Sequence, residues 1–421
     1  MPEKFTLTPQ TESQISALGS VELAVGVTAP DRLDDTRAVI ETARAGLRQR
    51  FPGARAVVLH AHAGGGPVEA PAAEADIPVL ELAYRTPGPG GEPWSRSAAL
   101  RLVFEASHRL QARGCALLGV EVASLTPEWI GWLLAPVTER DQDLVAPYYL
   151  RHPYNGAVTS GILYPLLRAL YGPRLRYPLG AELACSSRLV ERQLRREPGR
   201  EAGGSRAGAQ AFELRLLTDA VAGGLRICQA VLGPRTVAAG DTGTGLSTIL
   251  TEVLSLVFGE MERSTALWQK IRGSAPVELV GTSDTSGIEP VPVDGKRLLN
   301  AFRLGQQNLQ EVWGLVLPPS SLVELKRLAR LPDAEFRLPD RLWAHLVFDF
   351  SLAYHTRVMS RDHLMGALAP LYLGWFGSFH AEMGDADPVR LEDRLEQLCL
   401  QFEAEKPYLI SRWRWPDRFN P

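Results

Sequence analysis

The apolar run CALLGVEV, residues 115 to 122, carries a single carboxylate, Glu121, with Gly119 two places before it. The run reads as a buried strand ending on that acid. Ligands of open α/β sheets bind outside the carboxyl ends of the strands, so a lone acid there is a candidate for ligand contact. Two histidines, His60 and His62, close the run ARAVVLHAHA in the same way. They are able to hydrogen-bond a nucleotide, but two imidazoles with no visible third ligand read first as surface polar groups. Arg96 opens the helical pattern SRSAALRLVFE. A guanidinium fork beside the free N–H groups of a helix N-terminus suits a diphosphate. The glycines of AAGDTGTGLS, 238 to 247, lead into another helix and offer backbone N–H groups to phosphate, without the GK(S/T) of a P-loop. Ser186 and Ser187 lack a GxSxG context, so hydrolase chemistry is not indicated.

The elements that must position these residues alternate. VELAVGVT, ARAVVLHAHA, VLELAYR, CALLGVEV, DLVAPYYL and RICQAVLG are short β-branched runs; helical patterns lie over 34 to 51, 95 to 113 and 126 to 140. Strand, helix, strand in that rhythm predicts an α/β fold, a mostly parallel sheet with helices on both faces. The first turn, VTAPDRLDD, has no GxGxxG, which disfavours a dinucleotide-binding oxidoreductase. TPGPGGEP (86 to 93) and PGREAGGSRAGA (198 to 209) are Gly- and Pro-rich surface segments, either simple connectors or loops that close on a ligand. Beyond Gly245 the spacing becomes helical throughout, as in LSTILTEVLSLVFGEMER and RLWAHLVFDFSLAYHTRVM. The expected organisation is a lead-in over 1–20, an α/β domain over 21–245 and an α-helical domain over 246–421. The helical domain suits either docking on the first domain or a homo-oligomer contact.

A chain of 421 residues exceeds one hydrophobic core. With 45% apolar and 22% charged residues it has an ordinary globular composition. A net charge of −3 gives no reason to expect nucleic acid or an anionic membrane. Four widely spaced cysteines in apolar contexts read as reduced core residues, and neither a secretory leader nor a membrane-length apolar span is visible. A cytoplasmic location is the expectation.

The order of motifs ASLTPEWI, DLVAPYYLRHPYNGAVTSGILYPLLRALYG, RYPLGAELACSSRLV and GLRICQAVLG, followed by a helical block ending LAYHTRVM, carries a resemblance. It resembles, over most of its length, the retaining nucleotide-sugar glycosyltransferases of GT-A fold around mannosylglycerate synthase and glucosylglycerate synthase. The resemblance implies transfer of a hexose from a nucleoside diphosphate sugar to a small hydroxy acid such as glycerate. The family holds a divalent cation, magnesium or manganese, on an Asp-x-Asp and a histidine, neutralising the leaving diphosphate. Here those aspartate positions match Gly119 and Glu121 and the histidine falls near Val237, a degenerate motif. Glu121 and Asp241 remain as candidate metal ligands, and so few carboxylates hold magnesium only with help from substrate phosphates.

By the same resemblance Arg96 contacts diphosphate, and Arg151 and Thr159 hold the acceptor, the guanidinium gripping its carboxylate. Leu179, Gly180, Ala181 and Glu182 underlie the donor sugar, and Glu213 stands near the reacting centre. Glu213 also has the spacing of a plain helix-surface residue. Two readings follow: an active hexosyltransferase, or a catalytically degenerate relative kept as a binding or scaffolding module.

Overall fold

A computed structural model of the chain describes residues 7, 9–29, 34–63, 76–84, 95–196, 205–235, 246–281, 292–384 and 386–415. In chain order the elements are α1 (Pro9–Leu18), β1 (Leu23–Ala29), α2 (Asp34–Arg50), β2 (Ala56–Ala63), β3 (Val79–Tyr84), α3 (Arg96–Arg109), β4 (Gly114–Gly119), α4 (Pro127–Glu139) and β5 (Leu144–Leu150). After a 3-10 turn (Pro153–Gly156) and a π turn (Thr159–Leu163) come α5 (Tyr164–Tyr171), β6 (Leu183–Ser186), α6 (Ser187–Leu194), α7 (Ser205–Ala222) and β7 (Ile227–Pro234). The remainder is α8 (Leu246–Arg263), α9 (Thr265–Trp268), β8 (Glu278–Val280), α10 (Gly295–Asn308), α11 (Gln310–Val316), α12 (Pro319–Ala329), α13 (Asp340–Thr356), α14 (Arg361–Met383) and α15 (Pro388–Arg414).

These divide into two compact units. The first comprises Met1–Leu150, Tyr177–Thr242 and Val277–Ser286; the second comprises Arg151–Arg176, Gly243–Pro276 and Gly287–Pro421. The chain thus passes between the units several times, whereas the sequence suggested one boundary at 245. Two local causes account for the difference. Segment 151–176 carries α5, whose Arg168 side chain is fully buried and donates to Glu396 (2.7 Å) and Glu403 (2.6 Å) of α15. A buried guanidinium separated from its carboxylates would cost several kcal/mol, so α5 goes with the helices. The expected lead-in is likewise part of the first unit, because Thr11 of α1 donates to the Glu81 carbonyl of β3 (3.3 Å) and Ile15 is buried.

The first unit is built on an eight-stranded sheet of order β3-β2-β1-β4-β6-β5-β7-β8. All neighbours are parallel except β6, which runs antiparallel to both β4 and β5. The α/β expectation holds, with β6 and β8 as additions. Alternate side chains fill opposite faces: Val57, Leu59 and Leu117 pack with Val103 and Phe104 of α3 and Phe212 of α7, while Val25, Val58 and Ala116 pack with Ala43 of α2 and Ile130 of α4. Strand order reverses between β1 and β4, the kind of crevice where open α/β sheets take ligands.

The second unit is helical. Its core includes Trp343, whose indole N–H donates to the Gly161 carbonyl (2.8 Å), and Trp375, stacked 5.8 Å from Trp343. Gly161 has no room for a side chain, since an added Cβ would sit 2.0 Å from the Trp375 ring. All four cysteines are buried and free. No helix among the described residues is long and apolar enough to cross a membrane.

Candidate active site

Five elements of the first unit bring charged side chains to the carboxyl edge of β4, β5 and β7. Arg96 is the first residue of α3, after Ser95, whose extended backbone starts the helix. Glu121 follows β4: the strand ends on Gly119, and the acid sits in the turn beyond it rather than in the strand. Glu182 immediately precedes β6. Because β6 runs against its neighbours, it starts at their carboxyl ends, and Glu182 lies one step past the Leu117–Leu183 pair. Arg235 follows β7, where the pairing with β5 slips between Tyr148 and Tyr149. Gly233 takes φ +80° at this bulge, a left-handed conformation that glycine adopts without penalty. Glu213 comes from α7.

The Arg96 Nη1 donates to Glu121 Oε1 at 2.6 Å. Arg235 Nε donates to Glu182 Oε2 at 3.2 Å, and the Tyr149 hydroxyl donates to the same oxygen. The Arg235 guanidinium also lies 5.6 Å over the Tyr149 ring. Glu182 is entirely buried and Glu213 is 5% exposed. Burial pushes the Glu213 carboxyl up to about 7, with Glu182 and Glu121 adding to the push and Arg96 and Arg235 opposing it. Burial also works against ionised Glu121, but the Arg96 guanidinium outweighs it and holds that carboxyl below its usual range. Arg96 and Arg235 remain charged despite burial, because the surrounding carboxylates favour the cationic form. Within this cluster two buried atoms have no partner among the described residues, Arg96 Nε and Glu182 Oε1. One is a donor and one an acceptor, and unpaired buried polar atoms at such a place are where a ligand completes the bonding.

The site therefore brings together Arg96, Glu121, Glu182 and Glu213 of the residues picked from sequence. Leu179, Gly180 and Ala181 precede Glu182 in the same unit. An added Cβ on Gly180 would sit 2.0 Å from the Pro147 ring and 3.3 Å from the Tyr149 hydroxyl, so the glycine's smallness already serves the packing against β5. Arg151 and Thr159 belong to the second unit, just past β5 and at the start of the π turn. Asp241 and Val237 lie outside the described residues, as do 86–93 and 198–204.

Sequence reasoning missed Tyr149 and Arg235. The signal for Arg235 was a basic residue directly after a strand, in GPRTVAAGD, and Tyr149 stands in a run of otherwise apolar character, VAPYYL. The surface reading of His60 and His62 is corrected. Both are 3% exposed, because β2 is an interior strand, and both have a partner in Glu81 on β3.

A divalent cation at the end of β4 requires several oxygen ligands. Gly119 offers no side-chain oxygen, and its missing side chain is the space that Glu121 uses: an added Cβ would lie 2.7 Å from Glu121 Oε2. The Glu121 carboxylate is itself held by Arg96. The described residues at this point fit a guanidinium better than a hard cation.

Compared with protein-family models and with curated protein sequences, the chain matches none. Among solved structures it is similar to glucosyl-3-phosphoglycerate synthase from Mycobacterium tuberculosis in complex with Mn2+, uridine diphosphate and phosphoglyceric acid. That match has 20% identity over 62% of this chain and 84% of that one, at a TM-score of 0.39. The same enzyme with Mn2+, uridine-diphosphate-glucose and phosphoglyceric acid gives 19% identity over 66% and 94%, at 0.38. With Mn2+, uridine-diphosphate-glucose and glycerol 3-phosphate it gives 18% identity over 70% and 94%, at 0.36. At that level of likeness, a functional reading of this chain stands on its own residues.

Proposed function

We propose that the chain is a hexosyltransferase that moves a sugar from a nucleoside diphosphate to a small hydroxy acid of the glycerate class. The observation that carries the reading is the pair of buried guanidiniums, Arg96 and Arg235, set among Glu121, Glu182 and Glu213 at the carboxyl edge of the sheet. A leaving diphosphate concentrates negative charge, and fixed cations in a water-poor site stabilise it without reorganising. Glu121 occupies on Arg96 the place an anion would take; the diphosphate displaces it and also reaches the unpaired Arg96 Nε.

Following the resemblance to the retaining enzymes, the acceptor hydroxyl attacks the anomeric carbon from the face that the diphosphate leaves. The carbon–oxygen bond to phosphate breaks as the new glycosidic bond forms, and the hydroxyl proton passes to the departing phosphate oxygen. Glu182, oriented by Tyr149 and Arg235, offers its free Oε1 to a sugar hydroxyl. Glu213, raised to about 7, either donates to or accepts from the sugar near neutrality. No step here runs through a metal ion, since Glu121 is engaged by Arg96.

A second reading has its own support: the closed Arg96–Glu121 pair and the absent partner at Gly119 suit a degenerate relative that binds without turnover. Calorimetric titration with nucleoside diphosphates, alongside a turnover assay with a panel of nucleotide sugars and glycerate, separates the two. Binding and nucleoside diphosphate release together support the transferase; binding without release leaves the scaffold.

A further inference from the structure

We propose that His60, His62 and Glu81 form a binding site for a zinc-class divalent ion, tying β2 to β3 at their carboxyl ends. Residues two apart on a strand share a face, so His60 and His62 project together. The register sets His60 of β2 directly opposite Glu81 of β3, which puts the carboxylate between the two rings. His60 Nδ1 lies 2.9 Å and His62 Nε2 3.1 Å from Glu81 Oε2, and one donor atom from each residue falls within 4.8 Å of the others. The ring centroids are 5.0 Å apart and the ring planes are tilted by 31°.

Around a tetrahedral zinc with nitrogen or oxygen ligands at about 2.0–2.1 Å, neighbouring donors stand roughly 3.3 Å apart. The two nitrogen–oxygen spacings, 2.9 and 3.1 Å, are within a few tenths of an ångström of that, so small side-chain shifts admit an ion. Two imidazoles and a carboxylate are the donor set of open zinc sites, which keep a fourth position for water or an anion. Hard cations such as magnesium want an octahedron of oxygens and are poorly served here.

Burial makes the arrangement more than a surface ion pair. Both histidines are 3% exposed and the Glu81 side chain 18%. Two imidazoles enclosed in the sheet and sharing one carboxylate oxygen already set three donor atoms around one point, so a cation there exchanges the shared contacts for coordinate bonds. The site is independent of the hexosyltransferase reading, which uses none of these residues.

The test uses the full chain, stripped of metal by chelator dialysis and titrated with zinc in competition with a chromophoric chelator, then with cobalt. The expected result is one equivalent of zinc, intense visible bands of tetrahedral cobalt, and a rise in melting temperature on adding zinc. In His62→Ala and Glu81→Gln the affinity falls by more than the roughly 10–100-fold that loss of an outer-shell partner costs. Glu81→Gln keeps the shape of the side chain and serves where His62→Ala fails to fold, and far-UV circular dichroism of the metal-free proteins checks both. Absence of stoichiometric binding, a pale octahedral cobalt spectrum, or affinity unchanged in folded Glu81→Gln would overturn the proposal.

Discussion

Glu213 shows how much a single position depends on its neighbours. Its segment, QAFELRLLTDA, reads as readily as a helix surface, yet the side chain is buried in the charged cluster with its carboxyl raised to about 7 from an ordinary 4.5. The folded state therefore binds a proton more tightly than the unfolded one, so this group's stabilising contribution is full below about 4.5 and is lost as pH rises through 7. Replacement by glutamine should flatten that slope and raise stability at pH 8 relative to the parent by up to about 3 kcal/mol, read by urea unfolding across pH 5–8. Asp349, buried and raised to about 7 in the second unit, slopes the same way in both proteins and cancels in the comparison. Arg96 is the second residue to probe. Its alanine variant should lose about 10²–10³ in kcat, and lysine should restore only part, because a point charge does not reproduce the fork. Arg96 and Glu121 were legible because a helix start and a strand end advertise them, and Glu182 through the resemblance carried by RYPLGAELACSSRLV. Arg235, Tyr149 and the Glu81 partner of the histidines were not, since each becomes significant only through strands paired across 21 to 83 residues of chain.

At the scale of elements, β1, β2, β3, β4, β5 and β7 and the helices between them follow from alternating β-branched and 3.6-period patterns. The strands missed are β6 and β8, of four and three residues. LACS and ELV are too short to show a period, and it is β6, running antiparallel, that delivers Glu182 to the carboxyl edge. The bulge beside Tyr149 does similar service for Arg235. Gly233→Ala should cost roughly 1–2 kcal/mol, because the left-handed conformation is unfavourable for a side chain. The same variant should weaken nucleoside diphosphate binding by shifting Arg235, whereas Gly224→Ala, equally left-handed but away from the site, should cost stability alone. Melting curves and calorimetry on the two variants separate the effects.

On the scale of the whole molecule, the helical region does not begin as a separate block at 246. Composition signals a change there, but α5 lies upstream and its Arg168 is bound by Glu396 and Glu403. Lys406 of α15 likewise donates to the carbonyls of Ala169 (2.6 Å), Leu170 (3.1 Å) and Ile271 (2.9 Å). A fragment of residues 246–421 should accordingly be aggregated or poorly dispersed by amide NMR, having lost α5 from its core, and Arg168→Met in the full chain should cost about 3–5 kcal/mol. No periodicity reveals such a tie, because it is made by residues more than two hundred positions apart. The central claim, that the arginine-lined sheet edge transfers a sugar from a nucleoside diphosphate, is tested most directly by turnover of the purified full chain. Nucleotide sugars are supplied one at a time with glycerate, with and without manganese, and nucleoside diphosphate release is followed. The account predicts release that requires both substrates and falls at least about 100-fold in Arg235→Ala; no release above buffer with any donor, in either condition, would contradict it.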